Sequence, residues 1–271
     1  METQRKEPNV TPQLSKKIGA LNAWIQKQLE EKTINYDRSS LTADYEWAKD
    51  GENVTIKAPK LEDIAKKGAD TFTRKGERLA GTCREIAPAL AKILENLGFI
   101  KNPQVLACTN DREFHYIVTG EIETEDGGYG TVLVDMGYFQ PIPDTVLLNG
   151  GVQKSTYYKG EMGTGQIYNG EVDYEAEEAG NGVNLTIKYK KGEEKKSKLF
   201  KFQPVGQMDE DIVKHFASVT GKMSRTKVVA EGDNRRIERT DTPGENSFKE
   251  LHDLMQATGD KIKVTVEYKE K

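Results

Sequence analysis

A thiol, an imidazole and a carboxylate follow one another along this chain, each where its local sequence favours chemistry. Cys83 stands in "GTCREIAPALAKILENLGF", His115 in "EFHYIVTG" and Asp135 in "TVLVDMGYFQPIP". Gly81 and Thr82 form a tight, capped start to a helix that opens on the cysteine. A thiol there feels the positive end of the helix dipole and nearby backbone N–H groups, which favour its nucleophilic form. Arg84 adds a local positive charge. Taken alone, the same cysteine reads more readily as a small residue packed in a core. Its companions shift the balance. His115 begins a β-type run through Thr119, from which its ring is able to face a neighbouring element. Asp135 ends an apolar strand, where a carboxylate is costly unless paired. A histidine satisfies it, and the carboxylate in turn orients the imidazole and raises its basicity. Together the three point to nucleophilic catalysis. The other histidines, His215 and His252, fall in polar helical stretches and are expected at the surface. Cys108, within the apolar run "QVLACT", is expected to be dispensable for chemistry. No His/Cys cluster has metal-ligand spacing, so no metal is expected. The glycine-rich "KGEMGTG" lacks the spacing of a phosphate-binding loop or a dinucleotide fingerprint and is read as a plain loop.

The elements that must carry these groups are legible in the hydrophobic pattern. Leu14, Ile18, Leu21, Trp24, Ile25 and Leu29 recur at helical steps. "TADYEWAKDG" adds Tyr45, Trp47 and a glycine stop at Gly51. "NVTIKA" reads as a short strand, followed by a helix with Pro59 near its start. After Cys83, Ile86, Leu90, Ile93, Leu94 and Leu97 form one helical face, and Gly98 supplies a C-terminal stop. The period then changes to β in "QVLACT", "FHYIVTGEI", "YGTVLVDMG" and "VNLTIKYK". "EVDYEAEEAGNGVN" and "KKGEEKKSK" are expected as solvent-facing hairpin ends. The remainder reads as helix ("PVGQMDEDIVKHFASV"), strand, strand, helix and strand. The order is helical, then β, then mixed.

Composition bounds the function. The chain has 271 residues, 40 basic and 44 acidic, with a net charge of −4. That balance argues against a nucleic-acid binder, which carries a basic stripe. No apolar run reaches the length of a membrane span. "METQRKEPNV" lacks the apolar core of a signal peptide. Two cysteines in unlike contexts fit a reducing compartment, so a cytoplasmic protein is expected.

The blocks "GTCREIAPALAKILENLGF", "FHYIVTG" and "VLVDMGYFQPIP" resemble the arylamine N-acetyltransferase family, within the transglutaminase-like cysteine protein superfamily. That family's motif has a glycine before the catalytic cysteine and a glutamate two residues after it. A histidine and an Asp-x-Gly follow on successive strands. Cys83, Glu85, His115 and Asp135 match these positions. The resemblance implies an α+β, cysteine-proteinase-like fold in three parts: a helical bundle with the cysteine over residues 1–104, an antiparallel β-barrel with the histidine and aspartate over 105–205, and an α/β lid over 206–271. It implies an enzyme moving an acetyl or other acyl group from acyl-coenzyme A to a small amine, an arylamine or hydrazine, through a Cys83 thioester. Arg84, Tyr138 and Phe139 are the expected substrate contacts. This chain departs from the family at Leu79-Ala80-Gly81, where Arg-Gly-Gly is usual, and at Arg84, where an aromatic is common. The motif around Cys83 is also similar to transglutaminase-like acyltransferases and peptidases, although their third block usually reads Asp-Pro. A non-catalytic binding protein is the remaining alternative.

Overall fold

The computed structural model describes residues 7–31, 33–36, 45–75, 79–110, 113–136, 145–160, 167–191, 194–206, 208–219, 225–231, 234–240, 247–258 and 261–269. The helical stripe at the start of the chain becomes α1 (Pro12–Glu30), whose Leu14, Leu21 and Ile25 are buried. α2 (Leu61–Lys75) and α3 (Cys83–Asn96) pack beside it. Trp24 of α1 joins the three by ring contacts with Phe72 of α2 and with Phe99 just beyond α3. The α2–α3 crossing is close: a Cβ at Gly68 would lie 2.4 Å from that of Ala89. Ile86, Leu90, Ile93 and Leu94 of α3 are buried as their spacing predicts. Each such side chain contributes roughly 1.5–3 kcal/mol by leaving water. Leu97 departs from the expectation; it is the helix C-cap and 48% exposed. Gly98 follows at φ +73, a backbone angle that favours glycine.

The helical third also holds strands. β1 (Ile34–Tyr36) pairs in parallel with β4 (Leu79–Gly81), which delivers the chain to α3. β2 (Glu46–Asp50) and β3 (Asn53–Ala58) form a hairpin turned at Gly51, φ +59.

The β-rich middle forms one antiparallel sheet of eight strands that nearly closes into a barrel. Its strands are β5 (Lys101–Asn110), β6 (Glu113–Glu123), β7 (Tyr129–Val134), β8 (Val146–Leu147), β9 (Gln153–Gly160), β10 (Ile167–Ala179), β11 (Gly182–Lys191) and β12 (Glu194–Pro204). Their order is β8-β7-β6-β5-β12-β11-β10-β9. Asn149 N donates to Ala176 O (2.8 Å) and Glu178 N to Asn149 Oδ1 (3.1 Å), which draws the β8 end back to β10. The two charged segments expected as hairpin ends do hold hairpin turns, with Ala179 facing Gly182 and Lys191 facing Glu194, and they continue into long strands of this sheet. Val172, Tyr174 and Ala176 of β10, and Phe200 and Phe202 of β12, alternate with charged residues and fill the barrel.

β5, β6 and β7 serve two cores. Leu106, Cys108, Ile117 and Leu133 face the barrel interior. Ala107, Tyr116, Val118, Val132 and Val134 face the helices.

The last part contains α4 (Met208–Val219), a hairpin of β13 (Arg225–Glu231) and β14 (Asn234–Thr240), α5 (Ser247–Thr258) and β15 (Lys263–Tyr268). It is not a separate lid at every point. β15 pairs in parallel with β3 and completes the sheet β15-β3-β2 within the first third. β5 likewise runs across the boundary expected near residue 104. Among the described residues, no helix is long and apolar enough to cross a membrane.

Candidate active site

Cys83 is the first residue of α3, and a capping box fixes it there. Thr82 Oγ1 accepts from Arg84 N (3.3 Å), while Glu85 Oε2 accepts from Thr82 N (2.9 Å) and from the Thr82 hydroxyl. Gly81 makes room for that fold-back, since a Cβ there would lie 2.6 Å from the Cβ of Glu85. Glu85 is thus an anchor of the helix start. Its Oε1 accepts from Tyr45 OH (2.8 Å).

Alternation along β6 turns His115 toward the barrel side, where its ring meets Phe202 edge-on at 6.1 Å, and turns Tyr116 toward the helices. Asp135, one residue beyond β7, comes to His115 across the sheet. The Nε2–Oδ2 distance is 2.7 Å, with both side chains almost wholly buried. The Cys83 side chain lies near enough to the same imidazole to favour its charged form. Its Sγ also lies 3.9 Å from the carbonyl oxygen of Phe114. Cys83 at the N-terminus of α3 thus lies against the strand that carries His115, the partner of Asp135.

The electrostatics favour an imidazolium. Burial opposes the charge on His115. The Asp135 carboxylate and its hydrogen bond, helped by the nearby Cys83 side chain, outweigh that cost and push the pKa from 6.5 to about 10.

Arg84 does not line a substrate pocket. It is fully buried, with Nε and Nη2 donating to the Asp209 carboxylate (2.7 Å each), Nη1 to Tyr45 OH (2.7 Å) and Nη2 to Pro59 O (3.0 Å). Its side chain is structural, and the expected substrate contact is corrected to that extent. Burial opposes the guanidinium charge, yet Tyr45 and the bonds and charge of Asp209 hold its pKa well above the ordinary arginine value. Tyr138 and Phe139 lie outside the described residues, as do residues 161–166 of the glycine-rich loop. His215, expected at the surface, is half-buried and packs its ring at a tilt against Phe114, with centroids 4.0 Å apart.

Asp209 was not legible as part of this site. It lies in the first turn of α4 and is 3% exposed. The only sequence signal was an acidic run, "MDED", which reads equally as ordinary helix-start charge. Among the described residues, no group of His, Cys, Asp and Glu side chains has the arrangement of a metal site. No protein-family model, curated protein or solved structure matches the chain.

Proposed function

We propose that the chain is a thiol acyltransferase, taking an acetyl or other acyl group from acyl-coenzyme A and giving it to a small amine through a thioester on Cys83. The observation that carries this reading is the buried His115–Asp135 pair, with His115 on the strand that Cys83 touches from a capped helix start. The donor and acceptor classes come from the resemblance of the three sequence blocks.

In the first half-reaction Cys83 sulfur attacks the thioester carbonyl as a thiolate paired with the His115 imidazolium. A new carbon–sulfur bond forms to Cys83. The bond to the coenzyme A sulfur breaks, and the leaving thiolate takes the proton from His115. In the second half the amine attacks the thioester carbon and releases Cys83 sulfur. His115 takes the amine proton, which restores the starting ion pair. Asp135 holds the imidazole in orientation and favours its charged form. The ring uses Nε2 for the carboxylate, so in this scheme Nδ1 is the nitrogen that exchanges the proton with the thiol. The capping bonds engage the N–H groups of Thr82, Arg84 and Glu85, not that of Cys83. The Cys83 N–H is therefore the first candidate donor to the oxyanion.

Initial rates against both substrates test the scheme. A thioester formed before amine attack gives parallel double-reciprocal lines with an arylamine or hydrazine acceptor. Intersecting lines would exclude the covalent route. Ammonia release from glutamine peptides, without acyl-coenzyme A turnover, would assign the site to the transglutaminase-like class.

A further inference from the structure

We infer that Asp209 is a positioning hub that sets the spacing between Cys83 and His115 through their chain neighbours, Arg84 and Tyr116. This inference rests on the thiol-nucleophile reading above and extends it to residues with no place in the triad.

The Asp209 carboxylate accepts from Arg84 Nε at Oδ1 (2.7 Å), Arg84 Nη2 at Oδ2 (2.7 Å), Tyr268 OH at Oδ2 (2.8 Å) and Tyr116 OH at Oδ1. A carboxylate offers about four lone-pair sites, so these donors saturate it. Burial pushes Asp209 up, but Arg84 and the tyrosine hydroxyls hold its carboxyl below the usual range. Glu85 and Tyr45 adjoin Arg84 on its other side.

The hub's position in the chain gives it a role. Arg84 follows Cys83, and Tyr116 follows His115. Since β6 alternates, Asp209 grips that strand from the face opposite the imidazole. It grips α3 at the residue after the thiol. Sliding α3 along β6 would break the Arg84 or the Tyr116 bonds. A guanidinium fork fixes direction as well as distance, which a single ammonium contact does not. Stability alone is a weak reason for the pair, because buried ion pairs are often matched or surpassed by apolar residues of similar volume. Tyr268 donates to the same carboxylate, but it ties down β15 and has no reactive neighbour.

That difference provides the test. Tyr116→Phe and Tyr268→Phe each remove one hydroxyl from the same carboxylate and leave every charge in place. The measurements are the melting temperature and the rate of Cys83 alkylation by iodoacetamide across a pH series, read by peptide mapping. Both variants are expected to lose comparable stability. Tyr116→Phe alone is expected to slow Cys83 alkylation at neutral pH by about tenfold, because thiol and imidazole no longer hold their spacing. With a working acyl donor it lowers kcat and leaves KM in place. Equal alkylation rates in the two variants, or a wild-type rate in Tyr116→Phe, would overturn the hub. Should Tyr116→Phe fail to fold, Arg84→Lys carries the same test, because it keeps the charge and loses the fork. A folded Arg84→Lys that alkylates at the wild-type rate would also overturn it. Alkylation needs no acyl donor. A Tyr116/Tyr268 difference in a protein that takes no acyl group would therefore refute the donor and keep the hub. Absence of Cys83 labelling in the wild type would refute both.

Discussion

Replacing Asp135 by Asn removes the charge facing His115 while keeping its shape and a hydrogen-bonding group. In the wild type the folded-state pKa of His115 is raised from 6.5 to about 10. A raised basic group stabilises the fold fully near and below its unfolded value of 6.5. It loses that contribution as pH rises through 10. In Asp135→Asn burial opposes the imidazolium without the carboxylate, so the ring loses its leading stabilising partner and most of the pH-dependent contribution goes with it. Wild type should therefore be the more stable protein near pH 6.5, with an advantage that shrinks as pH rises. Each unit is worth about 1.4 kcal/mol, so the gap closes by about 2–3 kcal/mol between about pH 7 and pH 9. Urea unfolding of both proteins at these two pH values measures it, with an unchanged m-value confirming that only stability differs. Differencing the two proteins cancels the lysines and tyrosines that titrate in both. A gap that stays constant, or widens with pH, would refute the ion-pair assignment. Turnover of Asp135→Asn should fall by about two or more powers of ten, since the imidazole loses both charge and orientation.

Asp209→Asn leaves the buried Arg84 charge without its carboxylate and should cost about 3–5 kcal/mol in urea unfolding; a cost below about 1 kcal/mol would contradict the buried pair. Cys108→Ala, at a site 1% exposed, should lower stability by about 1 kcal/mol and leave iodoacetamide labelling of Cys83 unchanged; loss of that labelling would contradict the assignment. Gly68→Ala should destabilise by about 1–3 kcal/mol, although alanine is the better helix former, because its Cβ would meet that of Ala89; a higher melting temperature would contradict the α2–α3 crossing.

The sequence was most legible where one local rule governs the outcome. The stripe in α1, the capped start at Thr82 and the glycine stop at Gly98 each depend on residues within a few positions. The order of Cys83, His115 and Asp135 was visible for a related reason: each stands at the boundary of an element with a clear period. β10 and β12 were harder. Their alternation was present in Val172, Tyr174 and Ala176 and in Phe200 and Phe202, but intervening Glu and Lys residues gave them the composition of a solvated loop. The pairing of β15 with β3 joins the two ends of the chain, and no local pattern announces it. Arg84 misled for the same reason. A charged residue beside a nucleophile reads as a substrate contact until Asp209, 125 residues away, is seen to neutralise it.

Intact-protein mass spectrometry after mixing with acetyl-coenzyme A, run on wild type and Cys83→Ala, tests the central claim most directly. The account predicts one added acetyl group on wild type, mapped to the peptide carrying Cys83, discharged by an arylamine or hydrazine, and absent from a folded Cys83→Ala. An adduct on Cys108, an equal adduct in Cys83→Ala, or no adduct with any acyl-coenzyme A would contradict it.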